Sequence, residues 1–354
     1  MSVKILPYDT AHPGDTGELS RRLASLQPDR IKRLALLVKT EGNSDVNDYS
    51  REYALLAAEQ ALIRHGGEGL VRRTTFLIST GCEGAMTPFG YLFADYDDPS
   101  ATVPAGGKSL AIGCARSRSL MPEEIGRPAH AEIAADTVRA AMKEAGVTAA
   151  DVELVIVKTP VKSHVATAGN TRRITSSYSK AVGSLGAGLG LGEVDPAKLV
   201  PQVFDTDHSV YAKRVMSFSG SELDCVEIML LANRKGQPGD LMIKTGFLAD
   251  MLDAPAIRDT LRASGCALDA EGRVTDPDGV VAFIAKVGVS PDGMLRGHRT
   301  TIKTSHLDMD KHVRATTSGV IGSILGSCRV FISANTVHQA PPGGGLCAAI
   351  VKTK

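Results

Sequence analysis

The stretch VELVIVKTP, residues 152–160, combines an apolar strand pattern with a lysine near its end, Lys158. Five of the six residues before the lysine are apolar, which is typical of a strand buried on both faces. A lysine is costly to remove from water unless its ammonium group is paired. One such lysine can simply mark where a strand reaches solvent, so its meaning depends on whether the pattern recurs.

The pattern occurs three times along the chain. In each copy an amphipathic helical stretch and a turn lead into an apolar strand that ends in lysine. The three strands are IKRLALLVK ending at Lys39, VELVIVK ending at Lys158 and VVAFIAK ending at Lys286. The lysines are spaced by roughly 120 to 130 residues, about a third of the chain, and a fixed spacing of this length predicts homologous repeats.

Polar residues recur after each lysine as well. A second helical stretch carries a cation near its start, and the cations are Arg51, Lys180 and Arg314. A second strand then ends in small residues, which are Ser79 and Thr80, Ser217 and Ser219, and Ser333 and Ala334. Because the recurring positions are polar and costly to bury, they favour a shared binding site. The alternative is that triplication only produced a stable fold, and that the polar residues were inherited with the duplicated strand ends.

Strands and helices alternate within each unit, which predicts an α/β fold. We expect three homologous α/β repeats, residues 1–104, 105–240 and 241–354, which can pack side by side or around a pseudo-threefold axis. In the second arrangement the lysines, the helix cations and the serine-rich turns converge on a pocket at the interface of the repeats, where small ligands commonly bind.

This set of residue types suits acyl transfer on a small ring with several carbonyl groups. A buried lysine beside other cations has a pKa lowered toward neutrality, so that it can act as a base. A neutral amine can activate a serine hydroxyl as a nucleophile. Backbone N–H groups at a turn can stabilise the oxyanion, and arginines can bind the same oxygens.

Composition excludes several other classes of function. The 354 residues carry a net charge of +1, and no Lys/Arg cluster is interleaved with aromatic residues, so we expect no nucleic-acid partner. The six cysteines are scattered singly, which is typical of reduced thiols in the cytoplasm. No signal-like or membrane-length apolar run is present in the sequence, so we expect a cytoplasmic protein without a membrane partner.

Several motifs resemble those of one known family. They are VKTEGNSDVNDYSREYA at 38–54, ISTGCEG at 78–84, MPEEIGRPAH at 121–130, VSPDGMLRGHR at 289–299 and HQAPPGGG at 338–345. The chain is identified by them as a member of the cyanuric acid hydrolase and barbiturase family, the ring-opening cyclic amide hydrolases. The resemblance implies a Toblerone-type fold of three domains, a Ser–Lys dyad in each domain with only the second one hydrolytic, and homo-oligomers that are often tetramers.

The resemblance also implies roles for individual residues. Lys158 falls on the catalytic lysine of the family, and Lys39 and Lys286 fall on its symmetry mates. Arg51 and Arg314 fall on two of the three substrate-binding arginines. The pairs that would bind ring carbonyls are Ser79 with Thr80 and Ser333 with Ala334.

Three departures from the family pattern stand out. Lys180 replaces the third arginine, which keeps the charge but loses the bidentate fork. Gly288 and Val337 replace acidic residues of the family's metal site, so we expect no metal ion and no other cofactor. Phe218 falls on the nucleophilic serine, and a phenylalanine cannot attack a carbonyl.

The departure at Phe218 leaves three possibilities open. A bulge could shift the turn and present Ser219 or Ser217 to Lys158. The hydrolytic role could instead have moved to an intact dyad, Lys39 with Ser79 or Lys286 with Ser333. Hydrolysis by a Ser–Lys dyad could also have been lost.

The sequence as a whole therefore predicts ring-opening hydrolysis of a small planar cyclic amide or imide, with Lys180 and Ser219 among the residues that contact it. The alternative is a pocket that binds a cyclic carbonyl compound and performs lysine-based proton transfer, or binds without hydrolysis. A purely structural role is a third interpretation.

Overall fold

The computed structural model describes residues 1–43, 47–161, 174–200 and 203–353, without the side chains of residues 205 and 206. The polar loop expected after Lys158 falls largely on residues 162–173 and lies outside the described residues.

Secondary structure follows the same order in three successive segments. The first contains β1 (Ser2–Asp9), α1 (Gly17–Ala24), β2 (Ile31–Thr40), α2 (Ser50–Gly66), α3 (Glu68–Arg72), β3 (Thr74–Thr80) and β4 (Phe89–Tyr96). The second contains β5 (Lys108–Ser119), α4 (Pro128–Ala145), β6 (Val152–Pro160), α5 (Ser176–Gly190), α6 (Val203–Thr206), β7 (Val215–Gly220) and β8 (Cys225–Lys235). The third contains β9 (Leu241–Leu248), α7 (Ala254–Ala263), β10 (Val280–Val287), the short strands β11 (Met294–Leu295) and β12 (His298–Arg299), α8 (Met309–Leu325), β13 (Phe331–Ala334) and β14 (Gly345–Lys352).

Each segment folds into a four-stranded sheet with identical topology. The strand orders are β1-β4-β2-β3, β5-β8-β6-β7 and β9-β14-β10-β13. In every sheet the last two strands of this order are parallel, which are β2 with β3, β6 with β7 and β10 with β13, and the connection between them contains a helix, as is usual for a parallel crossover. The shared topology confirms the prediction of three homologous α/β repeats. The limits set at residues 104 and 240 stay predictions.

The inner faces of the three sheets pack against one another in a common core. One cluster of buried residues contains side chains from all three sheets. The residue two positions before each strand-end lysine belongs to this cluster, and these residues are Leu37, Ile156 and Ile284. The residue directly before each lysine packs instead in one of three outer clusters, and these residues are Val38, Val157 and Ala285.

This alternation determines where the lysines point. Side chains along a strand alternate between its two faces, so residues two apart share a face. Lys39, Lys158 and Lys286 therefore continue the inner rows toward the common axis. Among the helices of the described residues, none combines the length and the hydrophobicity that a transmembrane helix needs.

Candidate active site

The three strand-end lysines meet at one end of the central core. They are buried, with exposed fractions of 0% for Lys39, 1% for Lys158 and 0% for Lys286. Each amine lies against the neighbouring repeat. Lys158 Nζ donates to the carbonyl oxygen of Ile78 at 2.5 Å, Lys39 Nζ lies 5.7 Å from the Phe331 ring centroid, and Lys286 Nζ lies 5.6 Å from the Phe218 ring centroid.

The cations near the helix starts reach the same region because each of these helices follows the carboxyl end of a lysine-bearing strand. Arg51 lies on α2, Lys180 on α5 and Arg314 on α8. They line one cavity of about 370 Å³ to which all three repeats contribute. Every residue predicted to bind substrate lines this cavity, as do Lys158 and Phe218.

Strand register identifies the residue opposite each lysine. Lys39 pairs with Ser79, Lys286 pairs with Ser333, and Lys158 pairs with Phe218. The pairing of β6 with β7 runs without a shift to the end of the strands. Phe218 therefore occupies the position that serine holds in the other two repeats.

The first repeat contains a lysine bonded to a serine hydroxyl. Lys39 Nζ lies 3.2 Å from Ser79 Oγ and donates to the carbonyl oxygen of Thr80 at 3.1 Å. Burial, followed by the charge of Arg314, lowers the pKa of Lys39 to about 7. A large fraction of this amine is therefore neutral near pH 7, as a base requires.

A bidentate ion pair lies beside this dyad. Arg314 Nε donates to Glu83 Oε2 at 2.5 Å, and Arg314 Nη2 donates to Glu83 Oε1 at 2.8 Å. Burial raises the pKa of the Glu83 carboxyl, but the guanidinium outweighs it and holds the pKa below its usual value. Gly81, at φ +95°, leaves room for Arg314, because a Cβ atom there would lie 3.0 Å from the guanidinium carbon.

The second repeat has an ion pair in place of the dyad. Lys158 Nζ lies 2.6 Å from Glu222 Oε1, and Glu222 Oε2 accepts from Arg51 Nε at 3.1 Å. Burial lowers the pKa of Lys158, and the charge of Glu222 opposes that shift. Glu222 therefore bridges the lysine and the arginine of this corner.

Ser219 and Ser217 lie on the strand face opposite Phe218. Ser219 Oγ bonds to Ser176 Oγ at 2.7 Å and donates to the carbonyl oxygen of Ser176 at 3.1 Å. Lys158 reaches Ser219 at its carbonyl oxygen, 3.3 Å away. Ser217 is buried beside α5, where a Cβ atom on Gly183 would lie 3.2 Å from its hydroxyl. Neither hydroxyl thus takes the position that faces the common axis.

In the third repeat the lysine bonds to backbone. Lys286 Nζ donates to the carbonyl oxygen of Ala334 at 2.9 Å and to that of Asn335. Its pKa is lowered well below the usual value by burial and by the charge of Lys180. Ser333 lines the cavity, but the described residues show no hydrogen bond from its hydroxyl to Lys286.

Among the described residues, the third corner also shows no ion pair of the kind found in the other two. Glu83 and Glu222 each lie four residues after the position opposite the lysine, and the corresponding residue of the third repeat is Val337. Lys180 therefore has no carboxylate from that position. Burial lowers the pKa of Lys180, and the charges of Asp310 and Asp308, at the start of α8, partly offset the shift.

The carboxylate partners of the arginines were not predicted from the sequence. Glu83 and Glu222 each bind an arginine from another repeat, across 231 and 171 positions of the chain. The signal that could have found them is their common offset from Ser79 and Phe218.

The predicted loss of a metal site concerns Gly288 and Val337. Neither side chain offers a metal-binding atom. In the parts of the chain that the structure describes, no group of three or more His, Cys, Asp or Glu side chains could hold a metal ion.

The sequence profile of the family described as amidohydrolase ring-opening protein matches residues 4–352. The chain belongs to this family, and it is accordingly a hydrolase that acts on C–N bonds of cyclic amides.

The relatives below cover at least 95% of the chain. A cyanuric acid amidohydrolase of Enterobacter cloacae is 33% identical over 100% of both chains. Barbiturase 1 of Nocardioides sp. is 32% identical over 95% of both. A solved cyanuric acid hydrolase structure, described as an innovation by structural concatenation, superposes with a TM-score of 0.90 at 31% identity over 99% of each chain.

Proposed function

We propose that the protein opens a small cyclic amide or imide ring with the Ser–Lys dyad of its first repeat, Ser79 and Lys39. One observation carries the proposal. In the described part of the chain, Lys39 alone among the three strand-end lysines forms a hydrogen bond to a serine hydroxyl. Its pKa of about 7 makes it an effective base near neutral pH.

The surroundings of this dyad support the same assignment. Within the described residues, the first corner alone combines an axis-facing serine, a lysine and a Glu-bound arginine, here Glu83 with Arg314. The second corner has Phe218 opposite its lysine. The third has Val337 and Lys180 in place of the ion pair. Among the described residues, the complete set of groups is thus present at one of the three equivalent corners.

The proposed reaction proceeds through an acyl-enzyme. Neutral Lys39 accepts the proton of Ser79 as Oγ attacks a ring carbonyl carbon. Arg314, which lines the same cavity, stabilises the negative charge that develops on the carbonyl oxygen. The Lys39 ammonium then protonates the ring nitrogen as the C–N bond breaks, which leaves the opened ring esterified to Ser79.

Water completes the cycle. Lys39, neutral again, accepts a proton from water as the water oxygen attacks the ester carbonyl, and the proton returns to Ser79 as the ester bond breaks. With cyanuric acid the opened product would be carboxybiuret, and with barbituric acid it would be ureidomalonate. The predicted homotetramer and cytoplasmic location stay predictions.

The test is turnover of cyclic amides by single serine variants. Ring absorbance is followed with cyanuric acid, barbituric acid and a panel of cyclic imides. We expect Ser79→Ala to lower kcat by about a thousandfold or more, as removal of a nucleophile does. Ser219→Ala and Ser217→Ala should keep kcat within about tenfold, because the Ser219 hydroxyl bonds to Ser176 and the Ser217 hydroxyl lies beside α5.

Two outcomes would contradict the proposal. Loss of turnover in Ser219→Ala but not in Ser79→Ala would assign the reaction to the second repeat. Binding of the rings without turnover of any of them would favour the proton-transfer or binding function predicted as the alternative.

A further inference from the structure

Phe218 gives the cavity one apolar corner. It lines the cavity at the position that Ser79 and Ser333 hold in the other repeats, and only 4% of its surface is exposed. Its ring packs edge-on against Phe331 at 5.7 Å with an interplanar angle of 87°. The position that carries a hydroxyl in two corners carries hydrocarbon in the third.

The contacts of Phe218 hold its ring in place. Phe331 covers one side, and the amine of Lys286 lies 5.6 Å from the ring centroid. Both contacts are made to another repeat, so the ring cannot turn away without disturbing the common core. A substrate group at this corner therefore meets the exposed part of an aromatic ring.

Two of the donor groups near this corner already have partners. Arg51 donates its Nε–H to Glu222, and Ser219 donates its hydroxyl to Ser176. A carbonyl oxygen placed against Phe218 would lose its hydrogen bonds to water and gain no hydroxyl in return. An unsatisfied buried acceptor is disfavoured by about ten- to a hundredfold in binding.

We propose that the preferred substrate is a six-membered cyclic imide or ureide with carbonyl groups at two alternate ring positions and a hydrocarbon carbon at the third, facing Phe218. Glutarimide and dihydrouracil have this arrangement. Cyanuric acid and barbituric acid carry carbonyls at all three alternate positions. The inference rests on the proposed function, because the ring is opened at Ser79, and it makes Phe218 the specificity-determining residue.

The test compares kcat/KM for glutarimide and dihydrouracil with kcat/KM for barbituric acid and cyanuric acid. We expect the wild-type protein to favour the two-carbonyl rings by about tenfold or more. Phe218→Ser restores a hydroxyl and should shift that ratio by about tenfold toward the three-carbonyl rings. Phe218→Leu is the matched control, since it changes shape without adding a donor and should keep the wild-type preference.

Equal or reversed preference in the wild-type protein would overturn the inference. So would an unchanged ratio in a Phe218→Ser protein that unfolds at the wild-type temperature. If Phe218→Ser does not fold, the inference is tested by the kcat/KM ratios of the wild-type protein and of Phe218→Leu.

Binding separates this inference from the proposed function. Calorimetric titration of the Ser79→Ala variant measures the same four rings without turnover. Tighter binding of the two-carbonyl rings, together with no hydrolysis by the wild-type protein, would refute the Ser79 mechanism and support the role of Phe218. Hydrolysis that depends on Ser79, together with tighter binding of the three-carbonyl rings, would support the Ser79 mechanism and refute the role of Phe218. No binding of any of the four would overturn the inference.

Discussion

The pKa of Lys39 predicts how turnover depends on pH. The base must be neutral to accept the proton of Ser79, so activity should rise as pH increases through the pKa of about 7. The neutral fraction is about one tenth at pH 6 and about nine tenths at pH 8, which gives a roughly tenfold rise in kcat that levels off above pH 8. Burial is the main cause of the lowered pKa, with Arg314 the next largest.

The assay is a pH–rate profile at saturating glutarimide, because a ring whose N–H stays protonated over this range adds no ionisation of its own. Ser333→Ala serves as the control. It removes a cavity hydroxyl that is not bonded to a lysine in the described residues, so the height of the profile can change while its midpoint stays near pH 7.

Two results would exclude Lys39 as the base. A lysine with its ordinary pKa of about 10.4 would give a rate that rises about tenfold per pH unit well beyond pH 8 without levelling. A flat profile across the range would mean that no group with the pKa of Lys39 acts as the base.

Two further predictions concern the corners of the cavity. The double variant Lys180→Arg with Val337→Glu should rebuild the missing ion pair and lower KM for three-carbonyl rings by about five- to tenfold. Lys180→Arg alone should lower KM less, because its guanidinium lacks a carboxylate partner. Steady-state kinetics in which the effects of the two single variants simply add would contradict this. Gly81→Ala places a methyl group 3.0 Å from the Arg314 guanidinium and should lower kcat/KM by about tenfold or more. Gly67→Ala is the control, because Gly67 also has a positive φ but lies in open space. It should lower the free energy of unfolding by about 1 kcal/mol and leave the kinetics unchanged. Equal losses of kcat/KM in the two variants would contradict the role of the Arg314 contact.

The sequence was sufficient to predict the repeats and the convergence of the lysines. The information was local: each apolar strand ends in lysine, and the two-residue period of a strand puts that lysine on the same face as the core residue two positions earlier. The position of Phe218 also followed from counting residues, and the register of β6 with β7 agrees with it.

The sequence could not rank the three repeats. Lys39 with Ser79 and Lys286 with Ser333 look equivalent in sequence and occupy equivalent register positions. They differ in what each amine reaches, since Lys39 bonds to the serine hydroxyl and Lys286 bonds to backbone carbonyls. That choice depends on side-chain and loop geometry of about an ångström, which residue order does not encode locally.

The ion pairs could not be predicted from the sequence for a different reason. Arg314 and Glu83 lie 231 residues apart and come from different repeats. Opposite charges at such separation carry no helical or strand period that would relate them. Only an internal alignment of the three repeats would place Glu83 and Glu222 at one position and show that Val337 breaks the set.

The central claim is that the opened ring is carried by Ser79, and trapping the acyl-enzyme tests it most directly. The protein is mixed with a slow cyclic imide, quenched in acid and measured by intact mass, followed by mapping of the modified peptide. Because ring opening keeps the departing nitrogen attached, we expect a mass gain equal to the whole substrate on the peptide that contains Ser79, and none in Ser79→Ala. The same mass gain on the peptide that contains Ser219 would contradict it.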